Sequence, residues 1–166
     1  MIPVIELFDA DYRKSLQGLP LHRGARGVVY KEGLVALLYY ETLNHYVLPG
    51  GGIEAGEDEV GALKRELLEE IGYDVVDVEA TVVVKEHFAD SLWHHHFFKA
   101  NVVGQAKPLQ LSEEERALNP RLVWKAPLDA LEILSLHEGD HPHSQAIMQR
   151  EFLGLMHSLS NGLQSF

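Results

Sequence analysis

Three carboxylates, Glu66, Glu69 and Glu70, fall within five consecutive positions of this sequence. The segment from Glu57 to Ile71 has helical periodicity. With Val60 as angular zero and about 100° per residue, Leu63, Leu67, Leu68 and Ile71 lie within roughly 80° either side, forming one buried stripe. On the same wheel the three glutamates fall between about 180° and 280°, on the face turned away from the core. Stability does not favour that cluster. Like charges at i,i+4 cost roughly 0.2–0.5 kcal/mol per pair, and acids in the last turn oppose the negative end of the helix dipole. Glu57, Asp58 and Glu59 in the first turn are favourable by the same reasoning. A lone Glu-Glu pair reads as a solvated face, whereas three acids at the unfavourable end point toward a bound cation. Oxygen ligands select hard cations such as Mg²⁺, Mn²⁺ or Ca²⁺. Mg²⁺ shares its shell between one or two carboxylates and substrate phosphates, which suits a face open to solvent and implies phosphoryl chemistry.

Immediately upstream, Leu48-Pro49-Gly50-Gly51-Gly52-Ile53-Glu54-Ala55-Gly56 brings four glycines to the helix start. Glycine allows close approach of a ligand to the backbone, although a Gly-rich stretch by itself is more often a tight turn. No Gly-Lys-Ser/Thr follows, so this is not a nucleotide P-loop. Read as one pattern, Gly51-x5-Glu57-x7-Arg65-Glu66-Leu67-x-Glu69-Glu70-x-Gly72-Tyr73 resembles the Nudix box, the signature of the Nudix hydrolases. Seven fixed residues at fixed spacing arise by chance on the order of once in 10⁹ windows at typical residue frequencies. The one departure is Tyr73, where the family usually has a small aliphatic residue; a packing adjustment is expected there.

The resemblance implies an α/β fold of the α+β kind, an α/β/α sandwich around a mixed sheet, with the catalytic loop and helix after the first strands. It implies that Glu66, Glu69 and Glu70 ligate Mg²⁺ or Mn²⁺, helped by the backbone carbonyl of Gly50 and by Glu57, directly or through water. Arg65 would orient these carboxylates by pairing with one of them, Glu57 above all. Together Glu57, Arg65, Glu66, Glu69 and Glu70 form the implied catalytic set. The implied reaction is attack of a metal-activated water on a phosphorus of a nucleoside diphosphate derivative, a nucleoside triphosphate or related nucleotide. The general base lies either in the box or on a later loop, where Glu113-Glu114-Glu115 is the candidate and a solvated loop start the alternative. A Nudix-fold ligand-sensing or interaction module without catalysis is the competing reading; such modules usually lack box carboxylates, and here every one is present. The isomerase branch of the fold relies on a cysteine, and this chain has none.

Around the box, Arg23–Tyr30 and Leu34–Glu41 are apolar, β-branched runs flanking Lys31-Glu32-Gly33, a hairpin signature. Tyr46–Leu48 is a third extended piece. Val75–Lys85, Trp93–Val103 and Arg121–Trp124 read as strands, Leu128–Leu134 as a short helix, and Ser144–Leu159 as an amphipathic helix closing the chain. The first 20 or so residues read as a weakly patterned lead-in. Arg23 and Arg26 are candidate phosphate contacts, though arginine at a strand end is more often a surface residue. Tyr39, Tyr40 and Tyr46 read as core or sheet-surface rings before base-stacking ones, and Trp93 and Trp124 as core or cleft packing. His94-His95-His96 lies in a strand whose side chains alternate faces, so the three cannot converge on one metal. His137, His141 and His143 occupy a loop, solvated or metal-binding.

The 166 residues carry 14 Lys+Arg against 25 Asp+Glu, a net −11, and no cysteine. A single domain spanning 1–166 is the expectation at this length. The acid excess argues against nucleic acid and anionic membrane surfaces as partners, leaving a small-molecule nucleotide bridged by metal. The cysteine-free composition fits a cytoplasmic protein, no leader or membrane span is read, and a homodimer is compatible with the closing apolar helix. Residues 51–73 hold seven of the acids and two of the bases, so much of the negative charge is local to the box.

Overall fold

The computed structural model describes residues 1–12 and 18–163. In chain order these form β1 (Val4–Phe8), β2 (Leu21–Lys31), β3 (Leu34–Tyr40), β4 (His45–Val47), β5 (Gly50–Gly52), α1 (Glu59–Ile71), β6 (Asp74–His87), β7 (Leu92–Val103), α2 (Glu113–Ala117), β8 (Pro120–Lys125), α3 (Pro127–Leu136) and α4 (Ser144–Leu163). The strands make one mixed sheet in the order β1-β6-β7-β2-β3-β4, with β5 paired to β2 and β8 to β3. β1 runs parallel to β6 and β2 parallel to β7, while the remaining pairings are antiparallel.

Side-chain alternation along the strands splits the core in two. Val29 of β2 and Phe98 of β7 pack with Ala62, Leu63, Leu67 and Ile71 of α1. Val28 and Phe97, their immediate neighbours, pack on the other face with Ala130 and Leu134 of α3 and Met148 and Leu155 of α4. Helices thus cover both faces, giving the α/β/α sandwich around a mixed sheet. Each fully buried leucine or phenylalanine contributes roughly 1.5–3 kcal/mol. No helix among the described residues is long and apolar enough to cross a membrane.

The hairpin forms as its sequence dictates. β2 and β3 pair through Tyr30 and Val35, and the turn places Glu32 and Gly33 at φ 52° and 79°, the pair of positive dihedrals that right-twisted strands require. Helix α1 begins at Glu59, two residues later than the periodicity suggests, because Asp58 takes the cap and its side chain accepts from the Gly61 N–H at 2.6 Å. It ends at Gly72, in the left-handed region at φ 75°, whose N–H donates to the Leu67 carbonyl.

Four expectations are corrected. The first 20 residues are not merely a lead-in, since Val4–Phe8 form an edge strand whose register is set by distant β6; residues 13–17 of that stretch lie outside the described residues. Gly50–Gly52 are not a tight turn but a strand, pinned by pairing with Gly24–Arg26. Glu113–Glu115 open a helix rather than a loop, capped by Ser112. The buried stripe of α1 is centred on Leu63 and Leu67, while Val60 is 37% exposed and Glu66 and Glu70 are buried, so the carboxylate face is not open to solvent along its length.

Candidate active site

Two glycines make that burial tolerable. Gly50 sits at φ +144°, where a side chain is strained, and a Cβ on it would run into the Ala25 carbonyl of β2. A Cβ on Gly51 would overlap the Glu66 carboxyl. The missing side chains therefore let the β5 strand, β2 and α1 close on one another, with glutamates in the gap. The Gly50 N–H donates to Glu70 Oε2 at 3.0 Å, fixing one end of the cluster.

Helix α2 brings in Glu115. Oxygens of Glu66, Glu70 and Glu115 lie within 4.8 Å of one another. Of the late triplet only Glu115 joins them; Glu113 and Glu114 are exposed on the first turn of α2. Glu115 is held by a capping box, in which its N–H donates to Ser112 Oγ at 3.1 Å and its Oε2 accepts from the Ser112 N–H at 2.8 Å.

Arg65 organises the outer acids. Its Nε and Nη2 donate to Glu57 Oε2 and Oε1 at 2.8 and 2.9 Å, a bidentate grip, and its Nη1 donates to Glu66 Oε1 at 2.8 Å and to Glu69 Oε2 at 3.3 Å. Its Nη2 also reaches the Gly52 carbonyl at 3.0 Å. Such a fork suits arginine and no other side chain. Arg26 Nη1 donates to the Leu48 and Gly50 carbonyls, each at 3.3 Å, whereas Arg23 is exposed and ion-paired with Glu59.

The electrostatics separate an inner from an outer group. The Arg65 hydrogen bonds hold Glu57 down at about 2. Burial pushes Glu70 up to about 8, with Glu66 and Glu115 adding to the rise against the Gly50 N–H and Arg26. Burial raises Glu66 as well, against the pull of Arg65. Three acid groups lie close together, two of them buried and reluctant to ionise, and their one paired cation, Arg65 on Glu66, is shared with Glu57 and Glu69. Oxygen donors of this kind fit a hard divalent cation, so Glu66, Glu70 and Glu115 are the residues placed to hold one, with Glu69 and Glu57 beside them.

Other candidates fall elsewhere. His94 and His96 share a face of β7, and His95, on the opposite face, meets Glu86 Oε1 at 2.9 Å. His137 Nε2 lies 2.8 Å from the Asn44 carbonyl, and the His143 N–H donates to His141 Nδ1; the three form no metal-binding group among the described residues. Tyr73 sits edge-on to Trp124, and its hydroxyl accepts from Lys31 Nζ at 3.2 Å, which is how the departure from a small aliphatic residue is absorbed. Tyr39 packs on Tyr46. An open cleft of about 810 Å³ between α3 and α4 contains none of the candidate acids.

Sequence reasoning missed a buried group on the other face: Glu86 of β6, and Arg150 and Glu151 of α4, joined to His95 and Arg26. No local spacing links residues on four elements.

The model of the NUDIX domain family matches residues 20–149. The chain belongs to the Nudix family. A solved MutT protein from Bacillus halodurans is 30% identical over 68% of this chain and 72% of its own, with a TM-score of 0.55. A NUDIX hydrolase from Nitrosomonas europaea shares the fold at 20% identity and a TM-score of 0.61, covering 84% of this chain and 89% of its own. The E. coli ORF135 protein does so at 19% identity and 0.59, covering 86% and 96%. No curated protein matches the chain. The Nudix match leaves β1 and the part of α4 from Arg150 onward outside it.

Proposed function

We propose that this Nudix hydrolase uses Mg²⁺ or Mn²⁺ to split the diphosphate linkage of a nucleoside diphosphate derivative, with nucleoside triphosphates as the first class to test, in keeping with its MutT-named structural neighbours. The observation that carries this reading is the inner cluster of Glu66, Glu70 and Glu115, whose oxygens lie within 4.8 Å of one another at the end of a Gly-rich strand. A divalent cation held there supplies Lewis-acid polarisation of a phosphoryl oxygen and screens the charge of an anionic substrate from the acids around it. The chain's own residues do the rest. Arg65 keeps Glu57 ionised and fixed against the Gly52 strand end. Glu70, pushed up to about 8, holds a proton near neutral pH until a cation displaces it. Glu115, on a five-residue helix with no buried residue, is the acid best placed to accept a proton from water.

A panel of nucleoside triphosphates and diphosphate-linked nucleotides, assayed for nucleoside monophosphate release with Mg²⁺, Mn²⁺ or EDTA, tests this reading. Release with either metal, its loss in EDTA, and its loss in Glu69→Gln and Glu70→Gln are the expected results. A panel inert with both metals, or variants that keep wild-type rates, would overturn it.

A further inference from the structure

Glu115 belongs to the acid cluster, yet the chain that carries it has little hold on the core. Gly104–Gln110 are exposed throughout, Leu111 is half-buried, and α2 buries no residue. Side-chain packing would leave such a segment loose, whereas a Glu115 oxygen lies within 4.8 Å of oxygens of Glu66 and Glu70. Its restraint comes from main-chain hydrogen bonds.

These bonds are made at the C-terminal end of α1. A helix leaves its last carbonyls without an internal partner, and acids in the last turn add to the negative potential there. The segment after β7 supplies the missing donors. The Lys107 N–H donates to the Gly72 carbonyl at 2.7 Å and the Gln110 N–H to the Glu69 carbonyl at 2.9 Å. Lys107 Nζ also pairs with Asp74 Oδ2, just beyond the helix. Gly72 gives the segment room, since a Cβ there would run into the Lys107 carbonyl. Pro108, between the two donors, fixes its own φ and biases Lys107 toward extended backbone.

From Gln110 the path to the carboxylate is short. Ser112 and Glu115 are locked together by the capping box, so Leu111 is the one residue between the two restraints. At the far end of α2 the Thr42 hydroxyl donates to the Ala117 carbonyl at 2.8 Å and the Thr42 N–H to the Leu118 carbonyl at 3.3 Å. Helix α2 is thus slung between two anchors, and the one nearer Glu115 is the main chain of a box acid, with Glu70 the next residue along.

We infer that Gln110 is a positioning residue acting through its main chain: its N–H, held on the Glu69 carbonyl, sets Glu115 against Glu66 and Glu70. The inference rests on the hydrolase reading above, in which Glu115 serves the site.

Proline at position 110 removes this N–H, whereas alanine keeps it. Gln110→Pro should lose about three- to tenfold, the size of one main-chain hydrogen bond, in whichever quantity Glu115→Gln loses, kcat or Mn²⁺ affinity read by water-proton relaxation. KM for the nucleotide and the urea midpoint should stay put, and Gln110→Ala should behave as the wild type. In a Glu115→Gln background Gln110→Pro should cost nothing more, because the carboxylate it positions is gone. Amide hydrogen exchange on the wild type supplies the check should the proline variant misfold: the Lys107 and Gln110 N–H groups should exchange more slowly than those of Gln105 and Ala106 on the same exposed segment. Wild-type kinetics in Gln110→Pro, an equal loss in both backgrounds, or a Gln110 N–H exchanging as fast as that of Gln105 would overturn the positioning role and leave the hydrolase reading intact. A wild type inert toward every nucleotide would instead overturn the hydrolase reading, and this role with it.

Discussion

Two buried groups of charge sit on opposite sides of Arg26, and they differ in how they are balanced. On the α1 side, Glu66, Glu70 and Glu115 crowd together, and one guanidinium, Arg65, is shared among Glu66, Glu57 and Glu69 while Arg26 donates to backbone carbonyls, so acids outnumber cations. On the α4 side, Arg26 and Arg150 face Glu86 and Glu151, with His95 kept neutral by burial and by Arg150. A folded protein tolerates the second arrangement by itself, because each charge has an opposite. It tolerates the first only by leaving acids protonated or by taking up a cation. The imbalance is what separates the proposed metal site from a self-balanced network, and it can be broken from either side.

The largest effect is expected on the balanced side. Glu151 is fully buried, with Oε1 at 2.8 Å from Arg150 and 3.8 Å from Arg26. Glu151→Gln leaves the buried Arg150 guanidinium and the part-buried one of Arg26 short of an anion, and a loss of roughly 3–5 kcal/mol is expected, read as a lower urea midpoint at unchanged m. Glu70→Gln should do the opposite. It removes a charge that the fold already resists, so the metal-free protein should unfold at the same urea concentration or a higher one, while metal-dependent turnover falls at least about 100-fold. Equal destabilisation by both substitutions would erase the distinction between the two groups.

pH distinguishes them next. Glu70 sits at about 8 in the fold against an ordinary 4.5, so the native state binds the extra proton. The stability this gives is present below 4.5 and is lost as pH rises toward 8, at about 1.4 kcal/mol per pH unit for one such group. His95, pushed down to about 2, and His45, His94 and His96, lowered chiefly by burial, act with the reverse sign: their contribution is present above 6.5 and is lost as pH falls below it. Between 4.5 and 6.5 the two groups oppose each other, and from 6.5 to 8 the acids act alone. Thermal melts in EDTA should therefore show falling stability from pH 6.5 to 8. Excess Mg²⁺ should flatten that limb, because the cation takes the proton's place, and Glu70→Gln should abolish it.

The same contrast explains what could be read from the chain. The box acids lie within one loop and one helix, where spacing and the 3.6-residue period make them visible, and Arg65 finds Glu57 across two turns. Their burial was not visible, because it depends on strand β5 closing over α1, and β5 is three glycines with no strand propensity of their own. Strand β1 was missed for a related reason: five residues, Val4–Phe8, are ordered by parallel pairing with β6 from across the chain. The α4 network draws on Arg26, Glu86, His95, Arg150 and Glu151, one or two residues from each of four elements, so no window of sequence contains it. His95 was visible only as the middle of three histidines, and strand alternation put it on a face of its own without naming its partners.

Glu115 lies between these extremes, and Ser112 offers the mildest way to probe it. Helix α2 has five residues and buries none of them, so packing cannot hold it in place; the capping box is the local restraint on Glu115. Ser112→Ala removes the hydroxyl that accepts the Glu115 N–H and frees that end of the helix, at a local cost of about 1 kcal/mol. Since nothing in the core rests on α2, the global unfolding midpoint should barely move. Turnover should fall by several-fold, with the loss in kcat rather than KM if Glu115 accepts a proton and in metal affinity if it serves chiefly as a ligand. Unchanged kinetics and unchanged metal affinity would remove Glu115 from the site and leave Glu66 and Glu70 as its inner pair.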